Sequence, residues 1–481
     1  MSPHESRADV EIDVDMNPTR RAAEVAAGGV HVLILGDFGG GAAVRTSLPE
    51  RAIHRLDRDG IDAAIKHISP ALRLSINEDA KSESIAFRAL DDFTPDHLLA
   101  HVPTLMRLRE LRTTAESGPV ASVREDAPAQ SNGSLLDRIL ERQDAPGEAA
   151  APGVAARVDD LSDFVRRAIR PHVAREIDPR QRARVAQVDD VIGATLRLLL
   201  HHPEFQALEA RWRAVDFFLR RCDLDESDVV GLLDLSRDEL ALAVGDDSAV
   251  DHAALLQKLS AMGNGHAWTL VIAAYQFGPA DTGLLTEIAR VAEKMGAPWL
   301  AAADARFAGI STFADGADTD DWDETPVAGW DELRRARGAR FLGLSLPAYL
   351  ARLPYGVDNP IESLRFEELE PGAPAHDSLL WGNPAFLCAL VAKTPVESGQ
   401  AAPSQGTIGG LPLHLFTREG IREAHSCAEA SLSERAALRL LANGLTPLVS
   451  LRDGDAIRIP RLQSIAAPPT PLSLRPAART R

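Results

Sequence analysis

Apolar residues recur along this chain in more than one period, and the changes of period mark its elements. Val30–Leu35 is short and nearly continuous in apolar residues, which reads as a strand buried on both faces. Gly36 and Gly39–Gly41 then supply a turn. Asp57–Asp62 opens a short helix that runs to about Ile68, and Pro70 ends it. Leu72, Leu74 and Ile76 alternate with polar residues, and Ser84–Phe87 pairs with them as a hairpin. Thr94-Pro95-Asp96 is a helix start: a preferred N-cap, a proline pre-set for the first turn, and an acid that complements the dipole. Leu98, Leu99, Val102, Leu105, Leu108 and Leu111 follow at helical spacing, with Pro103 set to kink or split the helix.

After this helix the periodicity lapses. Thr113–Gly133 is polar, small and rich in Pro and Gly, a composition that buries too little to fold. Ser134–Gln143 is one short amphipathic helix, with Leu135, Leu136, Ile139 and Leu140 apolar. Alone between two loose stretches, such a helix is marginal in water. It either docks on its own chain or is a recognition peptide that folds in a partner's groove. From Leu161 the pattern is mainly helical to Arg221, interrupted near Pro171, near Pro179 and at His202-Pro203. Phe205, Leu208, Trp212, Val215 and Leu219 form one stripe at spacings of three and four. Strands and helices then alternate: Val229–Leu235, Arg237–Leu242, Trp268–Ala273, Thr282–Met295 closed by Gly296, and Trp299–Ala302. Ala314–Val327 is an acidic loop. Leu411–Phe416 and Leu448–Leu451 read as strands, and Ser433–Asn443 as a helix capped by Gly444. The fold class is α/β with mixed α+β character: layered domains with mixed, partly parallel sheets flanked by helices. The expected divisions are a partly ordered start (1–29), a first domain (30–113), a linker with the short helix (114–153), a second domain (154–465) and a Pro-rich, disordered tail (466–481).

Composition narrows the function classes. The chain carries 52 basic and 70 acidic residues, a net charge of −18. That balance disfavours non-specific binding to nucleic acid or to an anionic membrane. Three well-separated cysteines exclude a disulfide framework and fit a reducing compartment. The polar N-terminus has no signal-peptide apolar core, and no apolar run is long enough to span a bilayer. The expectation is cytoplasmic, with no direct membrane insertion.

Searches for chemistry fail one by one. Asp37-Phe38-Gly39 has the form of the kinase magnesium triplet, but no kinase lysine strand or catalytic loop accompanies it, so it reads as a strand-to-loop turn. Gly39-Gly40-Gly41 is followed by no Lys-Ser/Thr, which excludes a phosphate-binding loop. His201 and His202 are adjacent and so point apart on a helix, and read as cap or surface residues. His425-Ser426-Cys427 has no second ligand pair at metal-binding spacing. Arg334-Arg335-Ala336-Arg337 reads as a salt-bridged surface. No catalytic, cofactor or metal residues are assigned, and the expectation is a protein that is not an enzyme. An unrelated cytoplasmic α/β enzyme whose site residues are scattered in sequence is the alternative from another class.

Two sets of motifs resemble a known assembly. Val32–Phe38 (VLILGDF), Leu48-Pro49-Glu50-Arg51, Asp57–Asp62, Phe93–Asp96 and Leu105–Arg112 together resemble the small subunit of the type VI secretion contractile sheath, the TssB (ImpB) family, over about residues 28–115. The large-subunit TssC (ImpC, EvpB) family is resembled from about residue 134 to 465. The matching blocks are His202–Trp212, Tyr275-x-Phe277, Ala297-Pro298-Trp299, Leu346-Pro347 with Leu353-Pro354-Tyr355-Gly356, Trp381–Phe386, and Gly444-Leu445-x-Pro447-Leu448. The pattern departs at Trp212-Arg213-Ala214-Val215 and at Ala273–Phe277. The family also continues well past the Gln-Ser that corresponds to Gln463-Ser464. The resemblance implies a natural fusion of both subunits, shortened at its C-terminus, with a contractile-sheath-like fold and no cofactor. It further implies contacts with sheath subunits, the inner tube protein, the baseplate and a ClpV-type AAA+ ATPase that reads Leu135, Leu136, Ile139 and Leu140. A non-polymerising, sheath-like accessory of the same system is the alternative within the class.

Overall fold

The computed structural model describes residues 29–75, 82–117, 179–245, 250–260, 267–313, 322, 327–372, 374–393, 405–452, 454–472 and 474. The first apolar run is strand β1 (His31–Gly36), every residue of it buried. Alternation explains how. Val32 and Ile34 enter one core, while Leu33 and Leu35 enter a second core on the opposite face. A short strand β2 (His54–Leu56) leads to helix α1 (Ile61–Ile68), which is followed by the hairpin β3 (Ala71–Leu74) and β4 (Glu83–Ala86). Pro103 divides the next helix as expected, into α2 (Pro95–His101) and α3 (Pro103–Ser117). Helix α3 runs through Ser117, so Thr113–Ser117, expected in the linker, is helical.

The second segment is described from α4 (Pro179–Leu200) and α5 (Pro203–Arg221) onward. Then come β5 (Val229–Asp234), α6 (Arg237–Gly245), α7 (Val250–Ser260), β6 (Leu270–Phe277), α8 (Thr282–Met295) and β7 (Trp299–Ala303). After α9 (Trp330–Arg335) the chain forms β8 (Leu342–Leu346), β9 (Tyr349–Leu350), β10 (Trp381–Gly382) and α10 (Ala385–Lys393). The last part holds β11 (Gly406–Ile408), β12 (Leu415–Arg418), β13 (Ile421–Ala424), α11 (Glu434–Ala442), β14 (Thr446–Pro447), β15 (Val449–Ser450) and β16 (Ile457–Ile459).

Seven strands make one sheet in the order β14-β8-β7-β6-β1-β5-β2. All neighbouring pairs are parallel except β2 with β5. Helices α1–α5 and α10 pack on one face, and α6–α9 and α11 on the other. Such two-sided cover is what a parallel sheet of continuous apolar strands requires. The mixed α/β architecture read from the pattern is therefore present.

Three of the departures from the sequence reading have a visible cause. The strand placed at Leu411–Phe416 begins at Leu415, because Leu411 is buried in the core and donates its N–H to Asp455 O instead of to a ladder. The strand placed at Trp268 begins at Leu270, since Trp268 turns its indole N–H to Lys258 O. Part of the tail expected to be disordered is packed. Ala467 N–H donates to Arg334 O, Ser464 N–H to Thr470 O, and Leu472 is buried against the first core. Ile76, the Ser134–Gln143 helix and most of the acidic loop lie outside the described residues.

Candidate functional site

The place where the two motif-bearing segments meet is the candidate site. Strand β1, from the first segment, lies between β5 and β6 of the second. His31–Gly36 pair with Val229–Asp234 on one side, and Val32–Leu35 with Leu270–Ala273 on the other. Both edges of β1 are thus satisfied by backbone that lies about two hundred residues away in sequence. Side chains complete the joint at each end. At the start, Val30 N–H donates to Asp228 Oδ1 (2.6 Å) and His31 N–H to Thr269 Oγ1 (2.9 Å).

At the carboxyl end of β1 lies the Asp37-Phe38-Gly39 turn. Phe38 and Gly39 donate their N–H groups to Asp234 Oδ1 at 2.7 and 2.9 Å, a close approach that suits glycine, since a Cβ at Gly39 would fall 2.9 Å from Asp234 Oδ2. Arg45 bridges the other oxygen of Asp234 (2.8 Å) to Asp37. Trp212, on the α5 stripe, donates its indole N–H to Phe38 O (3.1 Å) and meets the Phe38 ring edge-on at 5.1 Å. Arg51 clamps Glu239 at 2.8 and 3.0 Å and the Asp234 carbonyl at 2.8 Å. Burial alone would raise the Glu239 carboxyl, but Arg51 and the Ser236 N–H hold it at about 2.

The helices are joined in the same way. Phe87 and Phe93 stack at 4.2 Å and both meet Phe205, which belongs to the second segment. Arg112 on α3 pairs with Asp189 on α4 at 2.6 Å. Asp96 on α2 accepts the N–H groups of Glu362 and Ser363, each at 2.9 Å, and these bonds keep its carboxyl low despite burial.

A buried ionic cluster anchors the loop that reaches Asp96. Arg352 pairs with Glu368 at 2.7 and 2.9 Å and with Glu209 at 2.8 Å, while Arg213 also reaches Glu209 at 2.6 Å. Burial opposes ionisation of Glu368, yet Arg352, His201 and the Tyr355 N–H hold it at about 2. Glu209 sits in the His202–Trp212 block, but nothing in that block announces partners at 352 and 368. Sequence reasoning missed this cluster, and likewise Asp234, Arg45 and Asp96, because long-range ion pairs leave no periodic trace.

Beside the joint, an open cleft of about 540 Å³ lies at the carboxyl ends of β1, β6 and β7. Arg237 pairs there with Asp281, Asp37 with Arg45, and His376 with Glu429 at 2.8 Å, while Arg211 donates to the Asp37 carbonyl at 2.9 Å and burial lowers its pKa. Among the described residues no group of three His, Cys, Asp or Glu side chains is placed to hold a metal. His202 caps α5, its ring nitrogen accepting from Glu204 N–H. Arg335 and Arg337 face Asp331 and Glu293, whereas Arg334 binds backbone carbonyls of Ile465 and Ala442. The four apolar residues assigned to partner recognition, Leu135, Leu136, Ile139 and Leu140, lie outside the described residues.

The sequence pattern of the VipB family, described as EvpB/VC_A0108, tail sheath N-terminal domain, matches residues 182–466, more than half of the chain. The chain belongs to this family of sheath proteins. The pattern described as type VI secretion system, VipA, VC_A0107 or Hcp2 matches residues 2–117, so both subunit patterns occur in order on one polypeptide. The chain is also 29% identical over 304 residues to the type VI secretion system sheath protein TssC1 of Pseudomonas aeruginosa. That alignment covers 59% of this chain and 61% of the relative. A VipA–VipB fusion places the joint described above within one molecule. Among its described residues no helix is long and apolar enough to cross a membrane.

Proposed function

We propose that this chain is a structural component of a type VI secretion contractile sheath, supplying both sheath subunits as one polypeptide. The observation that carries the reading is strand β1, which the first segment contributes to the interior of the second segment's sheet. Fusion fixes the two at a one-to-one ratio and raises their effective concentration to roughly millimolar. A sheath is an open helical polymer, so each subunit meets its neighbours through unlike surfaces, and no active site is required. Energy for contraction resides in interfaces with two packings. Its partners on this reading are sheath subunits, the inner tube protein, the baseplate and a ClpV-type ATPase, with the work done in the cytoplasm.

Negative-stain microscopy of the purified chain, alone and mixed with sheath subunits, tests the proposal. Helical tubes or decorated sheath ends are expected. A discrete particle that leaves sheath untouched overturns it. The ATPase part has its own test. Replacing Leu136 and Ile139 with Asp is expected to abolish ATPase binding, and unchanged binding removes the recognition role from residues 134–143.

A further inference from the structure

Helix α2 carries two histidines one turn apart. His97 and His101 stand at the spacing that puts two side chains on one face of a helix, and their rings lie 5.8 Å apart and 24° from parallel. Both reach solvent: the His97 side chain is 43% exposed, and His101 is exposed. Each Nδ1 is taken. His97 Nδ1 meets Asp92 Oδ1 at 3.0 Å, and His101 Nδ1 meets the His97 carbonyl at 2.8 Å. A carboxylate and a carbonyl only accept, so each neutral ring carries its proton on Nδ1 and keeps a lone pair on Nε2. Neither Nε2 has a hydrogen-bond partner among the described residues.

The carboxylate behind His97 is itself held. Asp92 Oδ2 accepts the N–H groups of Arg88 (2.6 Å) and Ala89 (3.1 Å), which leaves Oδ1 for His97. A carboxylate or a carbonyl on the far ring nitrogen is the usual support of a metal-bound histidine. It sets the tautomer, aims the ring and makes the ligand nitrogen more basic. A second close pair lacks a carboxylate of this kind. His54 on β2 and His67 on α1 lie 5.7 Å apart, but His67 Nδ1 meets only the Ala63 carbonyl, and no hydrogen bond fixes the His54 ring among the described residues.

The geometry assigns His97 and His101 as a two-ligand site for a divalent late first-row transition ion, Zn2+, Ni2+ or Cu2+. Imidazole nitrogen suits all three, whereas Mg2+ and Ca2+ take oxygen ligands. Asp92 is the positioning residue, and water completes the coordination on the solvent side. The bound ion staples one turn of α2, between the Pro103 break and Asp96. Asp96 holds the N–H groups of Glu362 and Ser363, so the staple also stiffens this contact between the two segments. The inference rests on α2 and Asp92 and not on the sheath reading.

Calorimetric titration of the full chain with Zn2+, after treatment with a chelator, is the test. One saturable ion per chain is expected, with Cu2+ bound more tightly than Zn2+ or Ni2+. H97Q/H101Q is expected to abolish binding, Asp92→Asn to weaken it about 10-fold, and H54Q/H67Q to leave it unchanged. Pulsed EPR of the Cu2+ form is expected to show two imidazole nitrogens. Saturating Zn2+ is expected to raise the melting temperature and to slow amide exchange at Glu362 and Ser363. Absence of binding in the unaltered chain overturns the assignment, as does binding that survives H97Q/H101Q or a single imidazole nitrogen on Cu2+. One ion per two chains, with a dimer in size-exclusion chromatography, overturns it too, since the site then needs a second copy.

Discussion

Arg352 illustrates how much a single residue holds. It is almost fully buried, and its two carboxylate partners come from α5 and from the loop near residue 368. Removing one partner of a buried pair leaves an uncompensated charge, which costs about 3–5 kcal/mol. Glu368→Gln is therefore expected to lower stability by about 3 kcal/mol in urea unfolding, since Glu209 remains to share the charge. A loss below about 0.5 kcal/mol would mean the pair contributes no more than a surface bridge. His376 gives the opposite kind of residue-scale prediction. Glu429, and then Asp377, raise its pKa from 6.5 to about 9. A folded-state pKa above the unfolded one stabilises fully below about pH 6.5 and is lost as pH rises through about 9. Melting temperature should fall between pH 7 and 9.5, and His376→Gln should flatten that slope. The effect is about 2 kcal/mol at most, because Asp377 is solvent-exposed and screened.

Elements show which parts of the fold were legible. Helix α8 and its closing Gly296, the Pro103 break, and the Phe205–Leu219 stripe were readable because each is a local pattern whose physics needs no partner. Strand β8 and helix α10 were not. Leu342–Leu346 is interrupted by Gly343, and Ala385–Lys393 is apolar all round, so neither displays a period. The hairpin β12–β13 was half read, because its two-residue turn is Glu419-Gly420 rather than an Asn-Gly signal. Both turn residues have positive φ, 52° and 82°, the geometry of a type I′ turn. A glutamate in that region costs about 1 kcal/mol, whereas asparagine accepts it readily. Glu419→Asn should slow amide exchange across Thr417–Arg422 by about threefold. Faster exchange there would show that the Glu419 side chain supports the turn.

At the scale of the whole molecule the two segments expected as separate domains contribute to one sheet and one shared core. Val32 and Ile34 from the first segment pack with Leu232, Leu270 and Ile272 from the second. The ends flanking residues 118–178 also lie together, since Gln181 donates its side-chain amide to Glu116 O and Arg112 pairs with Asp189. The connection therefore joins points that already lie side by side in the fold. A protease site placed within 118–178 and cut after folding should leave two fragments that elute together in native size-exclusion chromatography. They should separate only at denaturant concentrations that unfold the sheet, because releasing β1 breaks its ladders with both β5 and β6 and exposes Leu33, Ile34 and Leu35, each fully buried. Linking should shift the midpoint of that transition upward relative to the cut pair, and make it independent of protein concentration, where the cut pair's midpoint rises with concentration. Fragments that part without denaturant would mean that β1 is held by the covalent chain and not by the sheet, and the one-molecule sheath protomer would lose its physical basis.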